Sequence, residues 1–374
     1  MRRILLLLLG LILAASGSGL ALACPFCTAP KPTLAERREA ATVIAVAESD
    51  GLDGDQLVLR LDQILKGSDR LADPKRLVIP ADRSGTQRGL LLVLGKAGGD
   101  GALAWETIGV DEVSLAYFVQ SPSTRRPASE RLAWFCRYLE YPDVLVADDA
   151  YAEFGRAPYD EVAKIADRLP MARLRSWLVD EDVPQERKGL YGLLAGLATS
   201  AVDRRANEQL LRSIIEQPAS DFRAGFDGIL GGYLLLAGEP GLQRIDELYF
   251  ANPRAARGDV LHAMTALRFY VEYGRQIPRA RLAQALAHLL ATPSLAAPAI
   301  VDLARWQAWD ELPQVVGLFG RDEYREPAVE RAIIGYLLVC PKEQAAEKLA
   351  AIRRQAPGRV AEVEANLPLL GAGR

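Results

Sequence analysis

Histidine is nearly absent: His262 and His288 are the only two in 374 residues. Catalytic triads, histidine-built metal centres and most imidazole acid–base chemistry are disfavoured on that count alone. Cysteine is scarce as well, at four, which excludes a disulfide-built scaffold and leaves room for one or two bridges. There is no basic block to track a phosphate backbone. Pairs such as Arg204-Arg205 and Arg353-Arg354 are scattered through a chain of net charge −3, so no nucleic-acid partner is expected. No P-loop, no G-x-S-x-G and no H-E-x-x-H occurs. The apolar run from Ile4 to Leu13, interrupted by Gly10, is about half the twenty residues a helical membrane span requires.

That run has the make-up of an export signal. Arg2 and Arg3 form a positive n-region, Ile4 to Leu13 the apolar h-region, and Ala21-Leu22-Ala23 an A-x-A cleavage site. An uncleaved anchor is the alternative, since Leu20 and Leu22 extend the apolar stretch. Lipidation of Cys24 fits less well, because Ala21 stands where a branched residue is usual and Leu22 where a small one is. The expectation is a signal over residues 1–23, export to a periplasmic or extracellular compartment, and no membrane span after cleavage. Cleavage leaves 351 residues (374 less 23) and, without Arg2 and Arg3, a net charge of −5. A chain of that length predicts two domains.

Residues 24–120 read as the first. Thr33 and Glu36 form a capping box for a short helix. Five runs of strand character follow, Thr42 to Ala47, Gln56 to Ile64, Arg76 to Ile79, Gly89 to Leu94 and Ala104 to Gly109. In the second, Leu57, Leu59 and Leu61 share one face. Breakers at Asp50-Gly51, Asp53-Gly54, Lys66-Gly67, Asp73-Pro74, Ser84-Gly85 and Gly98-Gly99-Asp100-Gly101 separate the runs. Five short strands with little helix predict a small five-stranded β-barrel of the oligomer-binding type.

The order of elements carries a resemblance. Cys24 at the mature N-terminus, Ala41-Thr42-Val43-Ile44-Ala45, the set Leu59, Asp62, Ile64, Lys66, Gly67, and the hairpin Gly95-Lys96-Ala97-Gly98-Gly99-Asp100-Gly101 resemble netrin-like domains. The likeness is greatest to the inhibitory domain of the tissue inhibitors of metalloproteinases. It implies that the amine and carbonyl of Cys24 chelate the catalytic zinc of a target protease. The chain departs from that family in having C-x-x-C for C-x-C, Pro25 for a small hydroxyl residue, and few of its other cysteines.

Cys24 and Cys27 admit other roles. A thioredoxin-like pair belongs after a strand, at a helix N-terminus, whereas here Pro30 and Pro32 follow. Zinc needs two further ligands, and Cys136, Cys340, His262 and His288 show no ligand spacing. Thr28 occupies the place of a haem-motif histidine. A structural staple, from Cys24 or Cys27 to Cys136, is the leading expectation in an exported protein. No cofactor and no bound metal are expected.

Residues 121–127, Ser-Pro-Ser-Thr-Arg-Arg-Pro, read as a linker, and residues 128–374 as all-α. Ser129 is placed to cap a helix carrying Leu132, Phe135, Cys136 and Leu139 on one face. Beyond it, segments beginning at Gly192, Gly228, Ala263, Ala299 and Ala332 recur 36, 35, 36 and 33 residues apart. This period predicts an α-solenoid and resembles HEAT-type helical repeats. His262 and His288 read as packing or surface positions, Cys340 as a buried thiol. The acidic pairs Asp148-Asp149 and Glu181-Asp182, and Asp160 with Glu161, read as solvated or first-turn charge. The function expected is that of an exported, non-enzymatic scaffold that binds a protein partner. The alternatives are a metalloprotease inhibitor acting through Cys24 and a periplasmic thiol-disulfide protein using Cys24 and Cys27.

Overall fold

The computed structural model describes residues 31–81, 89–99, 101–218 and 222–370. The chain divides into two compact units, the first ending at Leu169 and the second beginning at Pro170.

Among the described residues the first unit runs from α1 (Leu34–Ala40) through β1 (Val43–Asp53), β2 (Gln56–Lys66), β3 (Arg76–Pro80), β4 (Leu90–Ala97) and β5 (Leu103–Gly109). All pairings are antiparallel, in the order β3-β2-β1-β4-β5, and the sheet curls into a half-barrel. The five runs read from the sequence are these five strands. Asp50-Gly51, read as a breaker, instead lies inside β1: the register shifts between Ser49 and Gly51, and Gly51 has φ 116°. The chain turns only at Gly54-Asp55, between the paired Asp53 and Gln56.

Alternation explains the sheet's burial. Leu57, Leu59 and Leu61 point into a cluster with Ala45, Ala47, Ile79, Leu91 and Val93, with Trp105 packed against it. Ile44, Val46, Leu92 and Leu94 on the opposite face are buried as well. The central strands β1 and β4 are therefore covered on both sides, which their near-continuous apolar sequence requires. Trp105 lies opposite Gly95 in the β4–β5 ladder, and a Cβ at Gly95 would stand 2.6 Å from its ring.

Four helices complete the unit: α2 (Glu112–Gln120), α3 (Ala128–Phe135), α4 (Val144–Arg156) and α5 (Tyr159–Ala163). The polar stretch 121–127 lies within this unit, and its Ser123 and Thr124 donate to Glu39. Leu132, Phe135, Cys136 and Leu139 are buried as their spacing implies. Ser129 does not cap α3: Pro127 holds the N-cap position, and the Ser129 N–H donates to Glu161 instead.

Gly67 ends β2 in the left-handed region, φ 72°, where a Cβ would fall well inside contact distance of the Thr42 carbonyl oxygen. Gly67→Ala is expected to lower unfolding free energy by about 3 kcal/mol, combining backbone strain with a backbone clash. Gly54→Ala, also at positive φ but with open space around it, is expected to lose only about 1 kcal/mol. Urea midpoints for the two variants check this; equal losses would contradict the close approach at Thr42.

The second unit is helical: α6 (Met171–Val179), α7 (Gln185–Gly196), α8 (Ala201–Ile215), α9 (Phe226–Ile245), α10 (Arg257–Tyr273), α11 (Arg279–Ala287), α12 (Pro293–Arg305), α13 (Leu312–Gly317), α14 (Pro327–Val339), α15 (Glu343–Gln355) and α16 (Pro357–Leu370). Pro and Gly punctuate it as expected, and Gly238, with φ 60°, breaks α9 two residues before Pro240. The five recurring apolar segments fall on five different helices, α7, α9, α10, α12 and α14, and most of their residues are buried. α9 packs on α7 and α10, and α14 on α12. No helix among the described residues is long and apolar enough to cross a membrane.

Candidate functional site

Among the described residues the first unit carries an open cleft of about 460 Å³, lined by Arg38, Glu39, Ile44, Leu65, Lys66, Phe118, Val119, Ser123 and Arg125. α1 forms one wall. Its capping box is complete: the Glu36 N–H donates to Thr33 Oγ1 at 3.3 Å, and the Thr33 N–H to Glu36 Oε2 at 3.0 Å.

Most of the cleft's charges have internal duties. Arg38 donates from Nη1 to the carbonyl of Phe118 (2.6 Å) and from Nη2 to that of Ser121 (2.8 Å), so it closes the C-terminal end of α2. Burial lowers its pKa, against the pull of Glu39, Asp149 and Glu153. Lys66 donates to the Ala41 carbonyl. Hydrogen bonds from Ser123 and Thr124 hold Glu39 down at about 2. The Lys66-Gly67 pair thus fastens the end of β2 to the α1–β1 junction. The cleft presents Arg125, the outer edge of Arg38 and Lys66, and the half-exposed Leu65 and Val119.

Beneath α1 lies a buried polar cluster on α4. Asp149 and Glu153, four residues apart on one helical face, are 6% and 2% exposed. Asp149 accepts the first N–H of α1, from Leu34 at 2.6 Å, and the Tyr117 hydroxyl at 2.8 Å. Glu153 pairs with Arg131, and the neighbouring Thr33 side chain favours its charged form. Desolvation dominates both acids. It raises Asp149 to about 6, more than the Leu34 and Tyr117 hydrogen bonds offset, and it raises Glu153 as well. Burial and the neighbouring Asp149 push the Tyr117 phenol up. The sequence reads Asp149 as solvated charge; it is instead an anchor for α1. The signal is present in the sequence, because Asp149 and Glu153 share the face of Val146, Ala150 and Phe154.

Within each unit, the other described residues read from the sequence form no common site. Cys24 and Cys27 lie outside the described residues. Cys136, at the end of α3, and Cys340, at the end of α14, are both buried, in different units. His262 packs between Phe222 and Phe226, its Nδ1 3.8 Å from Asp227 and its Nε2 buried without a hydrogen-bond partner. His288 is exposed, with Nδ1 2.6 Å from Asp246 Oδ1. Glu181 and Asp182 are exposed, and Asp160 and Glu161 sit in the first turn of α5 as expected. Among the described residues no three His, Cys, Asp or Glu side chains are grouped to hold a metal ion.

Compared with family models, curated proteins and solved structures, the chain matches none. The site is read from its own chemistry: buried acids that seat a helix, and a cationic, partly apolar cleft whose groups mostly bind the chain itself.

Proposed function

We propose that the chain is an exported, non-enzymatic protein-binding scaffold, a netrin-like barrel followed by a HEAT-type helical array. The observation that carries the proposal is a set of polar contacts in the second unit that each span 34 or 36 residues. Tyr249 donates to the Ile215 carbonyl, 34 residues away, and Tyr324 to that of Leu290, again 34. Arg223 pairs with Asp259 at a separation of 36, and Arg268 with Asp302 at 34. Such spacing supports a stack in which each helical pair contacts the next, and stacked pairs offer extended surfaces to other proteins. For the first unit, the order β3-β2-β1-β4-β5 supports an oligomer-binding-type barrel, since β1 sits centrally between β2 and β4. The Ala21-Leu22-Ala23 site supports export.

A peptide added ahead of Cys24, after the cleavage site, separates this reading from its rivals. The scaffold reading expects native and extended chains to capture the same exported protein with equal yield. Inhibition of a zinc protease by the native chain, abolished by the extension, would establish the inhibitor reading instead. Catalysed disulfide reduction that survives the extension and requires Cys24 and Cys27 would establish the thiol-disulfide reading.

A further inference from the structure

We infer that the Asp149–Tyr117–Leu34 contact, with the Glu153–Arg131 pair beside it, is a pH-responsive latch that holds α1 more tightly in acid than at neutral pH.

The geometry has three parts. α1 has only seven residues, too few to be stable alone, so its order depends on what seats it. Its first N–H is received by the Asp149 carboxylate of α4, and its N-cap side chain lies beside Glu153 of the same helix. Both acids lie almost wholly out of water; Arg131 is bonded to Glu153 and not to Asp149, and even that pair is imperfect, since Arg131 Nε and Glu153 Oε1 lack partners among the described residues.

The charged and titratable groups acting on Asp149 are Arg37 and Arg38 from α1, Tyr117 from α2 and Glu153 from α4; Glu36 from α1 and Arg131 from α3 act on Glu153, and Tyr138 on Tyr117. Arg37 and Arg38 are shared with other acceptors: Arg37 reaches Glu106, and Arg38 the carbonyls of α2. Two neighbouring anions in a dry site disfavour one another's charge. Protonating Asp149 removes that repulsion and the cost of a desolvated charge. The protonated carboxyl still offers its carbonyl oxygen to Leu34 and can exchange a hydroxyl bond with Tyr117.

The sign follows from linkage. Asp149 is raised from 3.8 to about 6 by burial. A carboxyl whose folded value lies above its unfolded one binds more protons when folded, so its contribution is greatest below the unfolded value and is lost as pH rises through the folded one. A shift of about two units corresponds to up to about a hundredfold change in the opening equilibrium. Glu153, also raised, acts in the same direction. Glu39, held at about 2, titrates below this window. Because α1 also supplies Arg38 and Glu39 to the cleft, the latch governs how firmly one cleft wall is held.

The test is hydrogen exchange of the Leu34–Ala41 amides in the full chain between pH 4.5 and 7.5, corrected for intrinsic rates. Protection in the native chain is expected to fall at least tenfold across the range, declining steadily up to about pH 6 and levelling off above it. In Asp149→Asn the slope is expected to shrink to less than threefold, while Tyr117→Phe keeps the slope at lower overall protection. Flat or rising native protection would overturn the inference, as would an unchanged slope in Asp149→Asn. Should Asp149→Asn fail to fold, carbon NMR titration of the native Asp149 carboxyl decides: a midpoint above 5 supports the latch, and one at or below 5 overturns it.

Discussion

Gly228→Ala is expected to destabilise the second unit by roughly 3 kcal/mol or more, well beyond the usual cost of one methyl group. α7 carries Gly189, Gly192 and Gly196; Gly225, at the start of α9, is followed in the same spacing by Gly228 and Gly232. These two sets face each other at backbone contact. A Cβ on Gly228 would overlap the Gly189 carbonyl oxygen, and one on Gly232 that of Gly192, both far inside 3.0 Å. No rotamer change relieves a clash between backbones, so the helices must separate and surrender the packing of Leu190, Leu193, Ile229 and Leu230. Calorimetry of the full chain should show a loss on the order of 10 °C for a unit of this size, with exchange protection falling first in α7 and α9. Gly317→Ala, exposed and with nothing within 4 Å of its Cβ, is the control and is expected to be neutral or to stabilise by up to about 1 kcal/mol. Tolerance of Gly228→Ala to within about 1 kcal/mol of that control would show that the helices do not approach this closely.

Arg131→Ala is the second large effect. Arg131 is the cation bonded to Glu153, which is 2% exposed. Removing one member of a buried pair strands the other charge, at a typical cost of about 3–5 kcal/mol. Because burial already raises Glu153, loss of Arg131 raises it further. The carboxyl then takes up a proton as pH falls, and the deficit should shrink between pH 7 and pH 5. Arg131→Met combined with Glu153→Leu should recover most of the loss, since an apolar pair of similar volume replaces the ions. Urea unfolding at the two pH values checks both statements. A deficit independent of pH, or a double variant with additive losses, would mean that Glu153 is not stranded as described.

Local signals carry far in this chain. The capping box at Thr33 and Glu36, the five strand runs and the helix-breaking Gly238 all lie where short-range patterns place them. The close glycine crossing is legible as small residues in the recurring segments at Gly192 and Gly228. The features that local pattern misses depend on contacts distant in sequence. Ser123 and Thr124 have linker composition, yet their donors meet Glu39, more than 80 residues earlier. Asp148 and Asp149 are adjacent in sequence, but one faces water and the other the N-terminus of α1, 115 residues upstream. Gly51 has the composition of a turn and the role of a bulge, because pairing with β2 continues on both sides of it.

A protein-binding surface on the second unit can be tested directly in cells that produce the full chain. Photo-crosslinking residues are placed singly at Val202 on α8, Leu261 on α10 and Val339 on α14, all exposed. The scaffold reading predicts adducts with one and the same partner protein from at least two of these positions, and the same partner when the N-terminus carries an added peptide. Adducts only between copies of this chain, or unrelated proteins captured in proportion to exposure alone, would contradict it.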